Sequence, residues 1–289
     1  MDDLATRGPR ALGRRPAGAV ERLAGASGSG VFRLGAAAGA HVLKVTEGAR
    51  EDARRELSFY QELADTVPVR TPRFVDGSSS DDLTVLLVTA AEPGPPASAW
   101  DLARWLDVAS QLGSLHRTLD RAGLDAHPWL KRKRPESGVA PAERVSLWSR
   151  SPLAPVALPM LADLERVRGA QQRLPACLVH GDCHAENLLR DADDHVVWAD
   201  WAEVGVGRGP GELAILWQRA EFDGATVPRE PMVAAYAQAR DLEVDDALRA
   251  AVRATELLMV LLGWPEFLIE KPSRGRDALF RHFERLANG

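Results

Sequence analysis

One segment, Leu178 to Ala214, limits what this chain can fold into more than any other: LVHGDCHAENLLRDADDHVVWADWAEVGVGRGPGELA. An apolar run enters His180-Gly181-Asp182, and Asn187 follows five residues after the aspartate. An acidic turn, Asp191 to Asp194, then separates two short apolar runs, the second of which ends at Asp200. Short apolar, β-branched runs on either side of a polar turn read as a two-stranded hairpin. If those strands pair, Asn187 and Asp200 approach each other beside Asp182, giving one cleft an amide oxygen and two carboxylates. That oxygen set suits Mg²⁺, which takes a few protein ligands and leaves its remaining positions to phosphates and water. It also leaves one carboxylate to accept a proton from a nucleophilic hydroxyl.

Elsewhere the pattern changes once along the chain. From Val20 to about Val88 the signals are strands: Val31 to Leu34, a Gly35 to Gly39 turn, His41 to Val45, and Leu83 to Val88. Between them, Arg50 to Leu63 has the apolar spacing of an amphipathic helix. The cluster TAAEPGPPAS after Val88 reads as a linker. Beyond it, helices are expected over 100–119, 141–148, 159–173, 211–221, 229–240 and 245–262, with Pro141 and Pro159 at first helical positions. The expected class is therefore α+β: a loose arm over 1–18, a small β-rich lobe over 19–90 and a larger, mainly helical lobe over 91–289.

Charge and composition exclude several functions. With 36 Lys plus Arg against 41 Asp plus Glu, the net charge is −5, which argues against a general nucleic-acid binder. The densest apolar stretch, Leu257 to Leu262, is far too short to span a bilayer. Two cysteines six residues apart, Cys177 and Cys183, support no disulfide framework, so a cytoplasmic protein with free thiols is expected. Only four lysines occur. Lys131, Lys133 and Lys271 lie in basic runs that read as solvated surface, whereas Lys44 lies inside a strand and is either an edge residue reaching water or a placed charge. Cys177, His180, Cys183 and His184 are zinc-ligand types. A strand running into a tight loop would aim them in different directions, so zinc is not expected.

His180-Gly181-Asp182-Cys183-His184-Ala185-Glu186-Asn187 resembles the H-G-D-x-H-x-x-N catalytic loop of the aminoglycoside phosphotransferase family. That family is a branch of the protein-kinase-like fold that also includes choline, homoserine and other small-molecule kinases. Ala199-Asp200-Trp201 is similar to the family's metal-binding segment, and Gly209 to Ala214 resembles a helix start that usually reads Asp-Leu-Ala, here with Glu212 for the aspartate. The resemblance extends from Ala24 to Ala214. It implies a two-lobed kinase-like fold, with ATP or GTP and Mg²⁺ as cofactors. It further implies that Ser27, Gly28 and Ser29 cradle the triphosphate, with Lys44 reaching the phosphates and Glu56 holding Lys44. Val88 and Ala90 would lie at a hinge receiving the base. Asn187 and Asp200 would hold the metal, and Asp182 would accept the hydroxyl proton. His180 and His184 read as braces of the loop, and Trp201 and Trp217 as core.

The acceptor is approached through charge. His180 to Ala225 holds ten acids and three basic residues. Once the metal, proton and turn residues are set aside, Glu203, Glu221 and Asp223 remain near the presumed acceptor side, which favours a polycationic acceptor. The expectation is an O-phosphotransferase of resistance type acting on an aminoglycoside or basic peptide antibiotic, as a monomer or weak dimer without nucleic-acid or membrane partners. A metabolite kinase for choline, a sugar or an amino-alcohol is the alternative, and a nucleotide-binding pseudokinase is a third reading.

Overall fold

The computed structural model describes residues 3–13, 20–23, 29–35, 39–132, 141–264 and 273–288. The chain groups into two compact units, Met1–Gly94 with Glu186–Val204, and Pro95–Ala185 with Gly205–Gly289. The sequence placed all of 91–289 in one lobe; the segment bearing Asn187 and Asp200 instead groups with the N-terminal unit. An isolated two-stranded hairpin is marginal in water, and this one is fastened by backbone bonds from Trp198 N–H to the Arg70 carbonyl (2.8 Å) and from Arg190 N–H to the Glu92 carbonyl (2.8 Å).

In the first unit, β1 (Val20–Leu23), β2 (Gly30–Leu34), β3 (His41–Glu47), β4 (Phe74–Ser79) and β5 (Leu83–Thr89) form an antiparallel sheet in the order β1-β2-β3-β5-β4. Successive side chains of a strand point to opposite faces. Leu43 and Val45 of β3 therefore join Phe32, Val85 and Leu87 in one apolar cluster, while Lys44 faces the other way. Helix α2 (Glu51–Glu62) buries Leu57, Phe59 and Tyr60. The arm expected to be loose contains a helix, α1 (Asp3–Ala11), whose Ala5 joins the β3 cluster. Pro9 and four nearby arginines hid it, but its Leu4 and Ala5, with Leu12 just beyond its end, supply an apolar stripe that burial rewards more than composition suggests. The hairpin itself is β8 (Leu188–Arg190) against β9 (Val196–Trp198), with Leu188 opposite Trp198.

The second unit is mostly helical. Helix α3 (Leu102–Leu115) packs along α9 (Arg229–Arg240), and Gly113 permits the approach, since a methyl there would strike the Tyr236 carbonyl. A short sheet of Lys131–Arg132 (β6), Cys177–Val179 (β7) and Gly205–Gly207 (β10), in the order β6-β10-β7, carries the chain into the His180 loop. The side chains of Lys131 and Arg132 stay exposed while their backbone pairs with β10. Helix α8 (Pro210–Phe222) and helix α10 (Asp246–Leu258) follow, the latter running into a π-helical turn over Met259–Gly263. The Leu257 to Leu262 run is core, clustered with Trp148, Trp264 and Phe283 of the last helix, α11 (Ser273–Asn288). Pro159 does not start a helix as expected. It lies inside α6 (Ala154–Ala162), which already has Pro155 in its first turn, and α7 (Leu164–Gln172) begins afresh beyond Asp163. Among the described residues no helix is long and apolar enough to cross a membrane.

Candidate active site

Lys44 anchors the first unit's part of the site. Its Nζ lies 2.6 Å from Glu56 Oε1 of α2 and 3.0 Å from Asp200 Oδ1. Burial alone would lower the ammonium's pKa, but the two carboxylates outweigh it and hold the pKa above the ordinary lysine value. Glu56 shifts upward too, because burial disfavours its charge more than Lys44 favours it. These shifts pull the pair in opposite senses; Lys44 faces two carboxylates at hydrogen-bond distance, so we take it as charged. The strand lysine is thus a placed charge, not an edge residue reaching water.

Asp200 sits at the end of β9 in the left-handed region, φ 63° and ψ 65°. Such a conformation costs a non-glycine residue roughly 1–3 kcal/mol and persists only where neighbours enforce it. They do so here: Trp201 stacks on Phe59 with ring centroids 3.9 Å apart and an interplanar angle of 11°. Arg55 Nη1 donates to the Ala202 carbonyl at 2.7 Å, and the Trp201 backbone N–H donates to Glu56. Helix α2 therefore holds Trp201 and Ala202, and Lys44 of β3 holds Asp200. Across the hairpin, Ala199 N–H donates to the Asn187 carbonyl at 3.0 Å, which brings Asn187 beside the Asp200 end of the ladder. An amide oxygen and a carboxylate that is 48% exposed fit a hard divalent cation. Asn187 and Asp200 are the residues that would hold it.

The nucleotide-side residues are placed unevenly. Ser27 and Gly28 lie outside the described residues. Ser29 bonds Thr46 through the two hydroxyls at 2.8 Å. Val88 is buried in β5, paired with Val42, and the Ala90 N–H is donated to the Ala40 carbonyl at 2.9 Å. What Ala90 can offer a purine is therefore its carbonyl, not its N–H.

In the second unit, β7 delivers Asp182 into a loop braced from both sides. Glu212 on the first turn of α8 accepts the backbone N–H of His180 at 2.6 Å and of Gly181 at 2.9 Å. Its longer side chain, where the family usually has aspartate, thus gives each of its oxygens one loop amide. His180 is fully buried, and its Nδ1 accepts the Asp182 N–H at 3.3 Å. His184 does more than brace the loop: its Nε2 is 3.4 Å from Asp182 Oδ2. Burial raises the Asp182 pKa, but His184, then His180 and Arg219, overcome it, and the carboxyl stays below its ordinary value. His184 was visible in the sequence as the histidine two residues on, but spacing alone could not tell contact from packing.

The three acids expected at the acceptor fall in both units: Glu203 is half-buried in the first, while Glu221 and Asp223 belong to the second, Asp223 exposed beyond α8. Glu221 is already neutralised: it pairs with Arg229, with His282 Nδ1 at 3.4 Å and with Arg285 at 3.2 Å. Burial is opposed by these partners, and its pKa falls to about 2. Trp201 and Trp217 are fully buried core residues, Trp217 donating to the Met232 sulfur at 3.1 Å. Both thiols are buried; burial pushes the Cys177 pKa to about 12 and also raises that of Cys183.

The comparisons with known proteins bear on family and fold. The profile of the phosphotransferase enzyme family, APH, matches residues 19–252. No curated protein sequence matches the chain. Among solved structures, an aminoglycoside-3'-phosphotransferase of type VIII is similar at 24% identity and TM-score 0.52, covering 88% of this chain and 99% of its own. The aminoglycoside phosphotransferase of Streptomyces rimosus, in complex with ADP and streptomycin, is similar at 18% identity and TM-score 0.54, covering 89% and 99%. A microcompartment-associated aminopropanol kinase is similar at 17% identity and TM-score 0.54, covering 93% and 89%. With a β-sheet unit carrying the Lys44 ion pair, a helical unit carrying the His180 loop, and the family's profile across most of its length, the chain belongs to the APH phosphotransferase enzyme family.

Proposed function

We propose that the protein is an ATP- or GTP-dependent O-phosphotransferase that moves a γ-phosphoryl group to a hydroxyl of a cationic small molecule, an aminoglycoside or basic peptide antibiotic. The observation that carries the phosphotransfer reading is Lys44 poised between Glu56 and Asp200, because phosphoryl transfer depends chiefly on positioning and charge neutralisation. Lys44 orients the nucleotide phosphates, with Ser27, Gly28 and Ser29 in the preceding loop. Asn187 and Asp200 offer oxygen ligands to Mg²⁺, which when bound offsets the phosphates' negative charge. Asp182 accepts the acceptor's hydroxyl proton as the oxygen bonds to phosphorus and the bond from phosphorus to the leaving phosphate oxygen breaks. The complete set of Lys44, Asp182, Asn187 and Asp200 weighs against a pseudokinase.

Similarity to antibiotic phosphotransferases supports the acceptor class, and Glu203 and Asp223 remain as its candidate contacts. One observation favours the metabolite-kinase reading: with Glu221 neutralised by its own helical unit, the acidic surplus available to a polycation shrinks. We place the enzyme in the cytoplasm as a monomer or weak dimer. The test is a coupled ADP-release assay with Mg²⁺ and ATP or GTP against aminoglycosides, basic cyclic peptides, choline, amino-alcohols and sugars. Turnover of one polycationic antibiotic is the expected result, and selective turnover of an amino-alcohol or sugar would replace it with the alternative. Lys44→Ala is expected to raise the KM for ATP or lower kcat by at least about tenfold, roughly the loss of one charge-assisted contact. Unchanged kinetics would remove Lys44 from the phosphate site.

A further inference from the structure

A cavity of about 1120 Å³ lies wholly within the helical unit, and Asp182 is not among its lining residues. Part of its wall is apolar, lined by Leu119, Leu124 and Ile215; another part is basic, with Arg117, Arg208 and Arg240. Two further arginines on the wall, Arg121 and Arg132, both pair with Asp125, at 3.5 and 3.1 Å. The other three have no carboxylate in ion-pair range among the described residues. Arg208 donates to the Leu174 carbonyl at 2.8 Å. Arg240, only 5% exposed, donates to the carbonyls of Arg208 and Pro175, both at 3.0 Å, and to the Tyr236 hydroxyl at 2.7 Å. Carbonyls satisfy a guanidinium's N–H groups but leave its charge uncompensated, and a desolvated charge without a counterion is costly.

A buried imidazole adjoins these arginines. Tyr236 Oη accepts from Arg240 and lies at hydrogen-bond distance, 2.9 Å, from His116 Nδ1. Burial lowers the imidazole's pKa. Its Nε2 is buried, with Glu212 Oε2 at 3.9 Å beyond ordinary hydrogen-bond reach. Both Glu212 oxygens already serve the His180 and Gly181 amides. Gly209 keeps this corner open, since a side chain there would meet Tyr236, Arg240 and His116.

We propose that this cavity is an anion-binding site for a small molecule bearing a phosphate or carboxylate, whose apolar body packs against Leu119, Leu124 and Ile215 while Arg117, Arg208 and Arg240 face its charge. The proposal does not depend on which hydroxyl the enzyme modifies.

Isothermal titration of the full chain with phenyl phosphate and with inorganic phosphate, both in saturating Mg-ADP so that the nucleotide site is filled, tests it. Phenyl phosphate is expected to bind, and Arg117→Gln and Arg208→Gln each to weaken it about tenfold. Arg117 is exposed, so its replacement leaves the fold intact. Lys44→Ala should leave this binding unchanged, which separates the site from the nucleotide pocket. Tighter binding of phenyl phosphate than of phosphate would assign the site to an organic anion, and equal binding to a free oxyanion. No binding in the presence of Mg-ADP, binding that is lost with Lys44 but kept without Arg117 and Arg208, or equal binding of uncharged phenol would each overturn the proposal.

Discussion

Replacing Asp182 with asparagine is expected to lower kcat by about 10²–10⁴-fold, the span over which a positioned proton acceptor contributes, while the Kd for ADP changes by less than about twofold. Asparagine keeps the volume and can still accept a hydrogen bond from the hydroxyl, but it cannot take the proton. The residues assigned to the nucleotide, Lys44 and Glu56 among them, lie in the other compact unit and keep their own contacts. The wild-type enzyme adds a check of sign. Because His184, His180 and Arg219 outweigh burial and depress the Asp182 pKa, the carboxylate stays charged through the ordinary aspartate range. The acidic limb of kcat/KM should therefore fall below about pH 4, the unperturbed aspartate value, and a limb above it would mean that another group accepts the proton. An Asp182→Asn protein that lost ADP binding and turnover equally would show Asp182 to be a structural residue.

Glu212→Gln should destabilise the protein by about 2–4 kcal/mol, seen as a Tm lower by roughly 5–10 °C. The carboxylate has two acceptor oxygens aimed at two amides, the buried His180 N–H and the part-buried Gly181 N–H. Glutamine presents one oxygen and one NH₂ to the same pair, so one amide faces a donor and loses its partner. A second contribution disappears with the charge, which sits favourably on the first turn of α8 near the positive end of the helix dipole. Because those amides immediately precede Asp182, kcat should fall further than the stability loss alone would cause at a temperature where the variant is folded. Glu212→Asp keeps the charge but is shorter by one carbon, and is expected to lose less than Gln in both readouts. A Gln variant with wild-type Tm and kcat would show that the loop holds its shape without α8.

Much of this arrangement is legible in the sequence, because it is local. The alternation His41 to Val45 specifies which side of the sheet Lys44 faces, and the turn-flanked runs around Asp191 to Asp194 specify the hairpin that seats Asn187 opposite Ala199. What escaped reading depends on partners far along the chain. Strand β4, with the sequence FVDGSS, has weak strand propensity and exists because β5 pairs with it. Glu221 read as a surplus charge because its partners Arg229, His282 and Arg285 come from α9 and α11, and a sum of charges along the sequence cannot see them. Arg55 of α2 is buried and supports the Ala202 carbonyl, a contact 147 residues away in sequence. The hinge expectation met the same limit: the bond from Ala90 to Ala40 crosses between chain segments that no local pattern links.

The burial of both sulfur atoms has a practical corollary. Cys177 and Cys183 are the chain's only cysteines, both are inaccessible, and burial holds both as unreactive thiols. The wild-type protein should therefore take up almost no maleimide under native conditions. A single exposed cysteine introduced by substitution can then carry a fluorophore or spin label at one chosen position without first stripping the native sequence of sulfur. Position 121, exposed on the wall of the basic cavity and outside the three arginines assigned to the anion, is one such place. A probe attached there would report occupancy of that cavity directly, while Trp198, Trp201 and Trp217, fully buried, remain as an independent intrinsic signal of global unfolding.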